Sequence, residues 1–573
     1  MMQFYNAMKK ENNLSLRFCD IKNKEKNMSF RFCDIKNKEK NMSFRFFATK
    51  NIENKLSNII NVKKNRKRNM RFRRFATICM MIVLAGMTTY QTGLECVMAK
   101  DDDVVTLRVC NWEEYIDEGG WGEDETISLS EKDIIGENPM YEDFEEWYYD
   151  TYHQKVKVEY SCFGTNEELY NMLTLGDEYD IVCPSEYMIM KLMAEDMLVP
   201  FSEEFFDETI EENYYIKGVS PFIRNAFETN EINGEPWSKY AAGYMWGITG
   251  IIYNPEEVSY EEASTWKIMT NEKFHCRITI KDNVRDAFFG AVGAVKADKL
   301  TSDSFINDPD YTKNLAEEMN DLSPETLETV LAYLQETRDN VYSFETDSGK
   351  ADMISGKVVA GYQWSGDAVY AMDQAQADDF YLNFAVPKES TNLYFDGWVM
   401  LKNGIKDDAK KQHAAEAFIN YISMPENVVR NMYYIGYTSV ISGGDSDEVF
   451  DYLNYCYGVE EEEEDVVEYP LGYFFSGEAD DTDYIILTQK EQVDRQLGAQ
   501  YPSQETMERS AIMRYFDADE NAAVNRMWID VRCYNVKNVP VYVWIIIVIS
   551  LIVAAVFLIR GKIVAKSMEQ NTF

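Results

Sequence analysis

Between residues 100 and 535, short apolar runs rich in β-branched residues alternate with stretches of helical spacing, and few folds accommodate that order. Residues 107–110 (LRVC), 155–160 (KVKVEY) and 180–183 (DIVC) read as short buried strands. Residues 141–152, 167–175 and 189–196 place their apolar side chains at the period of a helix. Strand, helix, strand in succession builds a parallel sheet covered by helices on both faces, an α/β fold. Residues 250–254 and 357–363 read as strands of a second such unit, and 414–423 and 510–532 as helices. Two acidic inserts, 117–137 and 443–481 with its run 460–465, read as solvated loops outside this plan. With 46% hydrophobic residues in 573, the chain can bury a large core, and a two-lobed unit of roughly 350–450 residues fits.

The flanks read differently. Residues 17–44 contain RFCDIKNKEKNMSF twice in tandem, too polar to pack, so 1–69 reads as a basic, disordered extension or as the product of an upstream start codon. Met70 begins a better leader: Arg71, Arg73 and Arg74 precede a 13-residue apolar run, 75–87, and Val97-Met98-Ala99 offers a cleavage site. Residues 70–99 therefore read as a signal peptide or N-terminal anchor. A lipid anchor is excluded, because Leu84-Ala85-Gly86 is followed by Met87 and not Cys. Residues 539–559 are 21 in a row without a charge, long enough at ~1.5 Å per residue to cross a bilayer core of about 30 Å. Arg560, Lys562 and Lys566 put the tail, 560–573, on the cytoplasmic side, and Tyr542 and Trp544 suit the outer interface. Residues 100–538 are thus expected to face outward, tethered to the membrane by a C-terminal helix.

Charge narrows the partners. Residues 1–99 hold 21 Lys and Arg against seven Asp and Glu, so the rest of the chain carries −55 of the net −41. Such a surface repels nucleic acid and draws cations, although solubility alone would also account for it. Of ten Cys, the six at 110, 162, 183, 276, 456 and 533 are widely spaced, with no CxxC pair, which argues against a zinc or thioredoxin-type site. His153, His275 and His413 read as surface residues, too few for a histidine-based catalytic centre. No metal or other cofactor is expected.

Two clusters sit where strands end, the place where open α/β sheets bind ligands. Asn111-Trp112-Glu113-Glu114-Tyr115 follows the first strand; its rings and carboxylates could stack on and neutralise an alkylammonium chain, or Trp112 could be a half-buried loop residue. Tyr179-Asp180-Ile181-Val182-Cys183-Pro184-Ser185-Glu186-Tyr187 ends another strand with a hydroxyl and a ring, or with a helix cap and a core Tyr.

Together these clusters resemble the N-W-x-E-Y and Y-D-[ILV]-V-x-P-S-x-Y segments of the spermidine/putrescine-binding proteins of ABC transporters. Six more segments follow in that family's order: Tyr244-Met245-Trp246-Gly247, Thr265-Trp266, Asp282-Asn283-Val284-Arg285-Asp286, Tyr362-Gln363-Trp364-Ser365-Gly366, Phe395-Asp396-Gly397-Trp398 and Ile435-Gly436-Tyr437. The resemblance implies a type II periplasmic-binding-protein fold, two α/β lobes with ligand in the cleft between them. It puts lobe 1 at 100–246 and 396–438 and lobe 2 at 247–395 and 439–535, with crossovers near 246–247, 395–396 and 437–439. It implies ligand contacts from Trp112, Glu114, Tyr115, Ser185, Tyr187, Asp286, Trp364, Asp396 and Tyr437, with Asp396 gripping a primary amine. The implied ligand is a polyamine, and the implied partners are a permease and an ATPase. Asn283, where spermidine-preferring members often carry Asp, and Tyr394, where some carry Trp, are departures that shift the expectation toward a diamine. The family's last cleft contact has no clear counterpart near 511–515.

Three other readings stand beside this one. The same fold could hold an anion, an iron(III) complex or a sugar; an anion would need Arg or Lys where the motifs supply carboxylates. A hydrolase using Glu113 or Glu114 lacks a visible nucleophile, and neighbouring strand-end residues point apart. A sensor would need a signalling module, and 14 residues follow the apolar run.

Overall fold

A computed structural model of the protein describes residues 104–122, 126–129, 133–459, 465–533 and 543–552. The basic extension 1–69, the leader 70–99, the acidic residues 460–464 and the tail 560–573 lie outside the described residues, as do 539–542 and 553–559.

The chain first lays down β1 (Val104–Trp112), α1 (Met140–Tyr152), β2 (Lys155–Phe163), α2 (Asn166–Leu175), β3 (Ile181–Val182) and α3 (Glu186–Ala194). β2 and β3 flank β1 in parallel, Val104 opposite Lys155 and Val109 opposite Ile181. Local chemistry sets the boundaries: the Thr165 hydroxyl accepts from the Glu168 N–H at the start of α2, and Gly176, at φ 105°, closes it.

A second parallel group follows: β4 (Ala241–Tyr253), β5 (Ile278–Lys281), α4 (Val284–Val295), α5 (Pro324–Asn340), β6 (Ser343–Glu345), β7 (Ala360–Trp364) and α6 (Ser365–Gln376). The chain then returns through β8 (Thr391–Leu401), α7 (Ala409–Ile422), α8 (Pro425–Ile435) and α9 (Glu448–Tyr457), and ends this part with α10 (Ala518–Arg532). The strands lie in the order β6-β5-β7-β4-β8-β3-β1-β2. β6, β5 and β7 run parallel, as do β3, β1 and β2, and the long antiparallel pair β4 and β8 joins the two groups.

Every residue of β4 and β8 is buried, and each strand changes partner along its length. β4 pairs with β8 through Ile248 and with β7 from Thr249 onward. The register slips between Asp396, opposite Met245, and Gly397, opposite Gly243, so Tyr244 is the extra residue of a bulge in β4. Phe395 and Thr438 both pair with Trp246, so three passes of the chain meet at one level of the sheet.

Three expectations need correction. Residues 510–532 are not one helix: Ser510 and Ala511 pair with Thr391 and Asn392, and α10 starts only where Asp517 and Glu520 form a reciprocal capping box. Residues 117–137 are not a solvated loop, since Asp117, Trp121, Ile127 and Ile134 are buried and Ile127–Ser128 pairs with Asp133–Ile134. Asp117 is ion-paired to Arg430 of α8, which also reaches Asp143 at 2.7 Å and the Asn138 carbonyl. Nor is 443–481 a loop: it holds α9, with Val449 and Leu453 fully buried, and Val466–Pro470 pairs with Ile485–Gln489. In both inserts apolar residues interspersed among the acidic ones reach the core. The six described Cys are free thiols, and the three His are exposed.

Of the apolar run 539–559, residues 543–552 are helical with Trp544, Ile545 to Ile549, Leu551 and Ile552 exposed. No helix among the described residues is long and apolar enough to cross a membrane.

Asp117→Ala should leave the buried Arg430 guanidinium short of a partner and lower the unfolding free energy by about 3 kcal/mol in urea titration. Glu159→Ala, on the exposed face of β2, should stay within about 0.5 kcal/mol of the parent.

Candidate ligand site

Asp396 stands in β8 opposite the bulge of β4, buried, where side chains from two other strand ends meet it. The Tyr115 hydroxyl donates to Oδ2 and the Ser185 hydroxyl to Oδ1, each at 2.7 Å. Tyr115 is delivered by the turn after β1: Glu114 takes the left-handed conformation, φ 57°, and the Tyr115 carbonyl accepts from Tyr244 Oη at 2.6 Å and Asn111 Nδ2 at 3.3 Å. Ser185 precedes α3 and its backbone bridges to Asp396 itself. Burial pushes the Asp396 carboxyl up to about 6, and its two hydroxyl donors only partly offset that rise. Among the described residues no cation pairs with it. Beside it, Glu186 accepts from the Phe395 N–H with one oxygen, while the other is buried without a partner; burial pushes this carboxyl up to about 8.

A line of contacts runs from here to the carboxyl ends of β5, β6 and β7. The Tyr115 ring meets Tyr437 edge-on at 4.8 Å, and Tyr437 Oη donates to Asp367 at 3.0 Å. This approach requires Gly366, because a Cβ there would lie 2.3 Å from the Tyr437 ring. Asp367 pairs with Lys281 at 3.2 Å and Lys350 at 3.3 Å. Burial would raise its carboxyl, but those two ammonium groups hold it below the usual range. Lys281 Nζ also lies 3.6 Å from Glu345 and 4.0 Å from the centre of the Trp364 ring. Trp364 Nε1 points to Asp286 at 3.4 Å, whose carboxyl burial pushes up to about 7 against the pull of Lys281.

Asp396, Tyr115, Ser185, Tyr437, Trp364 and Asp286, all singled out in the sequence, therefore lie along one chain of contacts. Tyr187 lies beside it: Arg285 stacks over its ring at 4.3 Å, and its hydroxyl donates to Glu167 at 3.2 Å. Trp112 is half-buried against Phe163, ring centres 4.6 Å apart, with its indole N–H buried and unpartnered. Glu114 is exposed and acts electrostatically on Lys350 and Tyr370. Asn283 caps α4, its side chain accepting from the Arg285 N–H at 2.8 Å, and Tyr394 Oη lies 3.4 Å from Ser365 Oγ.

Sequence reasoning missed Glu186, Lys281, Arg285, Glu345, Lys350 and Asp367. The strand-end rule points to Lys281 and Glu345, which close β5 and β6. Lys281, Lys350 and Arg285 stand among these carboxylates, Lys281 and Lys350 outside the motif positions. Among the described residues no group of three or more His, Cys, Asp or Glu could hold a metal. A separate cavity of about 450 Å³, lined by Phe206, Tyr215, Arg224, Phe227 and Lys239, lies elsewhere, and its Arg224 and Lys239 are already paired to Glu208 and Glu235.

The fold is α/β, two parallel strand groups joined by an antiparallel pair. The profile of the bacterial extracellular solute-binding protein family matches residues 140–451, and the chain belongs to that family. It is 25% identical over 286 residues to spermidine/putrescine-binding periplasmic protein 1 of Haemophilus influenzae, covering 49% of this chain and 68% of that one. It is 23% identical over 347 residues to the putrescine-binding periplasmic protein PotF of Escherichia coli, covering 58% and 77%. A solved structure from Listeria monocytogenes, described as a spermidine/putrescine ABC transporter, shares the fold at a TM-score of 0.50 and 18% identity, covering 75% of this chain and 99% of that one. These are solute-binding proteins, and this protein is one of them and not an enzyme.

An unfolded Asp loses its proton near 3.8, while folded Asp396 keeps it to about 6. The folded state therefore binds the extra proton between those values, and stability falls as pH rises through that window. Asp396→Asn should raise the unfolding free energy of the ligand-free protein by about 3 kcal/mol at pH 8, and most of the gain should be gone near pH 4, read by urea titration.

Proposed function

We propose that this protein is the outward-facing binding component of an ABC uptake transporter for a polyamine, putrescine or spermidine. The observation that carries the reading is Asp396: a buried carboxylate that accepts one hydroxyl on each oxygen, with no cation among its described partners. A carboxylate in that setting gains most from an ammonium group delivered by a ligand. The rings of Tyr115, Tyr437 and Trp364 suit a methylene chain, with cation–π gains of ~0.5–2 kcal/mol per good contact. The names of the Haemophilus and Escherichia relatives point the same way.

In this reading the two strand groups are lobes, 100–246 with 396–438 and 247–395 with 439–535. They hinge where β4, β8 and Thr438–Ser439 cross, and closure over ligand is what the permease and ATPase sense. Trp112, Glu114, Tyr115, Ser185, Tyr187, Asp286, Trp364, Asp396 and Tyr437 are the proposed contacts. The apolar run 539–559 is the proposed membrane anchor.

Putrescine or spermidine should raise the melting temperature of the protein, whereas sugars and ferric citrate should not. Asp396→Ala should weaken amine binding by about a hundredfold or more in calorimetry; an unchanged dissociation constant would remove Asp396 from the site. Amine affinity should increase between pH 5 and pH 7 with release of a proton, because binding requires the ionised carboxylate. Titrations in two buffers of different ionisation enthalpy measure that proton directly.

A further inference from the structure

Lys281 makes the contacts an amine ligand would make. Its side chain is fully buried, and Nζ lies 3.2 Å from Asp367, 3.6 Å from Glu345 and 4.0 Å from the Trp364 ring centre, and it donates to the Thr346 carbonyl at 3.0 Å. A carboxylate pair with an indole face is how a site desolvates and holds an ammonium group. Lys350 stands next to it, 3.3 Å from Asp367 and 2.7 Å from Asp347, and Glu114 acts on it from the other strand group. Asp286 is under the influence of both Lys281 and Arg285. Of the three carboxylates the resemblance puts among the ligand contacts, Glu114 and Asp286 thus already face cations of the protein. Asp396 faces hydroxyls alone among the described residues.

We propose, resting on the amine-binding reading of this site, that Lys281 is a specificity-determining residue. It stands in for a ligand ammonium at the Trp364–Asp286 end, so the site takes a short amine gripped by one ammonium at Asp396 and rejects a triamine. Extra ammonium groups would enter beside Lys281 without a counter-charge of their own, and buried like charges repel while losing their hydration.

The test titrates the full chain by calorimetry with 1-aminobutane, putrescine and spermidine. Putrescine should bind at least about tenfold tighter than spermidine, and 1-aminobutane should come within about tenfold of putrescine. In Lys281→Met/Asp367→Asn, which removes the cation and one partner charge together, the preference for putrescine over spermidine should shrink at least about tenfold. Spermidine binding the wild type as tightly as putrescine, 1-aminobutane weaker by more than that factor, or an unmoved preference in the folded double variant would each overturn the inference. The wild-type series stands even if the variant does not fold. Failure of every amine to bind the wild type would overturn the polyamine reading as well, whereas tight putrescine binding with the order reversed would overturn this inference alone.

Discussion

A strand buried along its whole length must satisfy every N–H and C=O from neighbouring strands, and β4 and β8 meet that demand by changing partners midway. Because the pair belongs to both strand groups, the two parallel sheets become one, and their carboxyl ends are brought toward a common region. Opposite Asp396 and Gly397 the bulge at Tyr244 of β4 shifts the register, and β8 there holds a carboxylate within reach of both Tyr115 and Ser185.

The electrostatics of the region follow from its burial. Asp396, Glu186 and Asp286 are removed from water with fewer cations than charges, so burial raises all three carboxyls. Asp367, gripped by Lys281 and Lys350, moves in the opposite direction in the same surroundings. The contrast separates a carboxylate neutralised by two ammonium groups from carboxylates held away from water without a full counter-charge. A protein that keeps an unpaired buried carboxylate gives up stability in the empty state, the usual consequence of a preorganised binding site.

The acidic inserts show where reading by composition fails. A tally of Asp and Glu in 117–137 suggests water on all sides, yet Asp117 is paired to Arg430, 313 positions away. A fully buried ion pair cannot be inferred from either residue alone, because each in isolation reads as surface. Lys281 escaped for the same reason: a lysine ending a strand looks solvated until Asp367, Glu345 and Trp364 close around it. Residues 510–532 failed on a boundary, because a cap at Asp517 and Glu520 overrides the apolar periodicity that precedes it.

The sequence by itself determined the α/β alternation and marked the strand ends near Tyr115 and Ser185, while Trp364 and Asp396 stand out only through the resemblance to a family's motifs. Strand and helix periods and the polar residues that follow a strand are local properties, written in neighbouring positions. Tertiary structure alone decided which of those residues touch, which carboxylates are already neutralised, and that the inserts join the core. Those outcomes depend on desolvation and on pairing between residues hundreds of positions apart, and neither quantity exists until the sheet has formed.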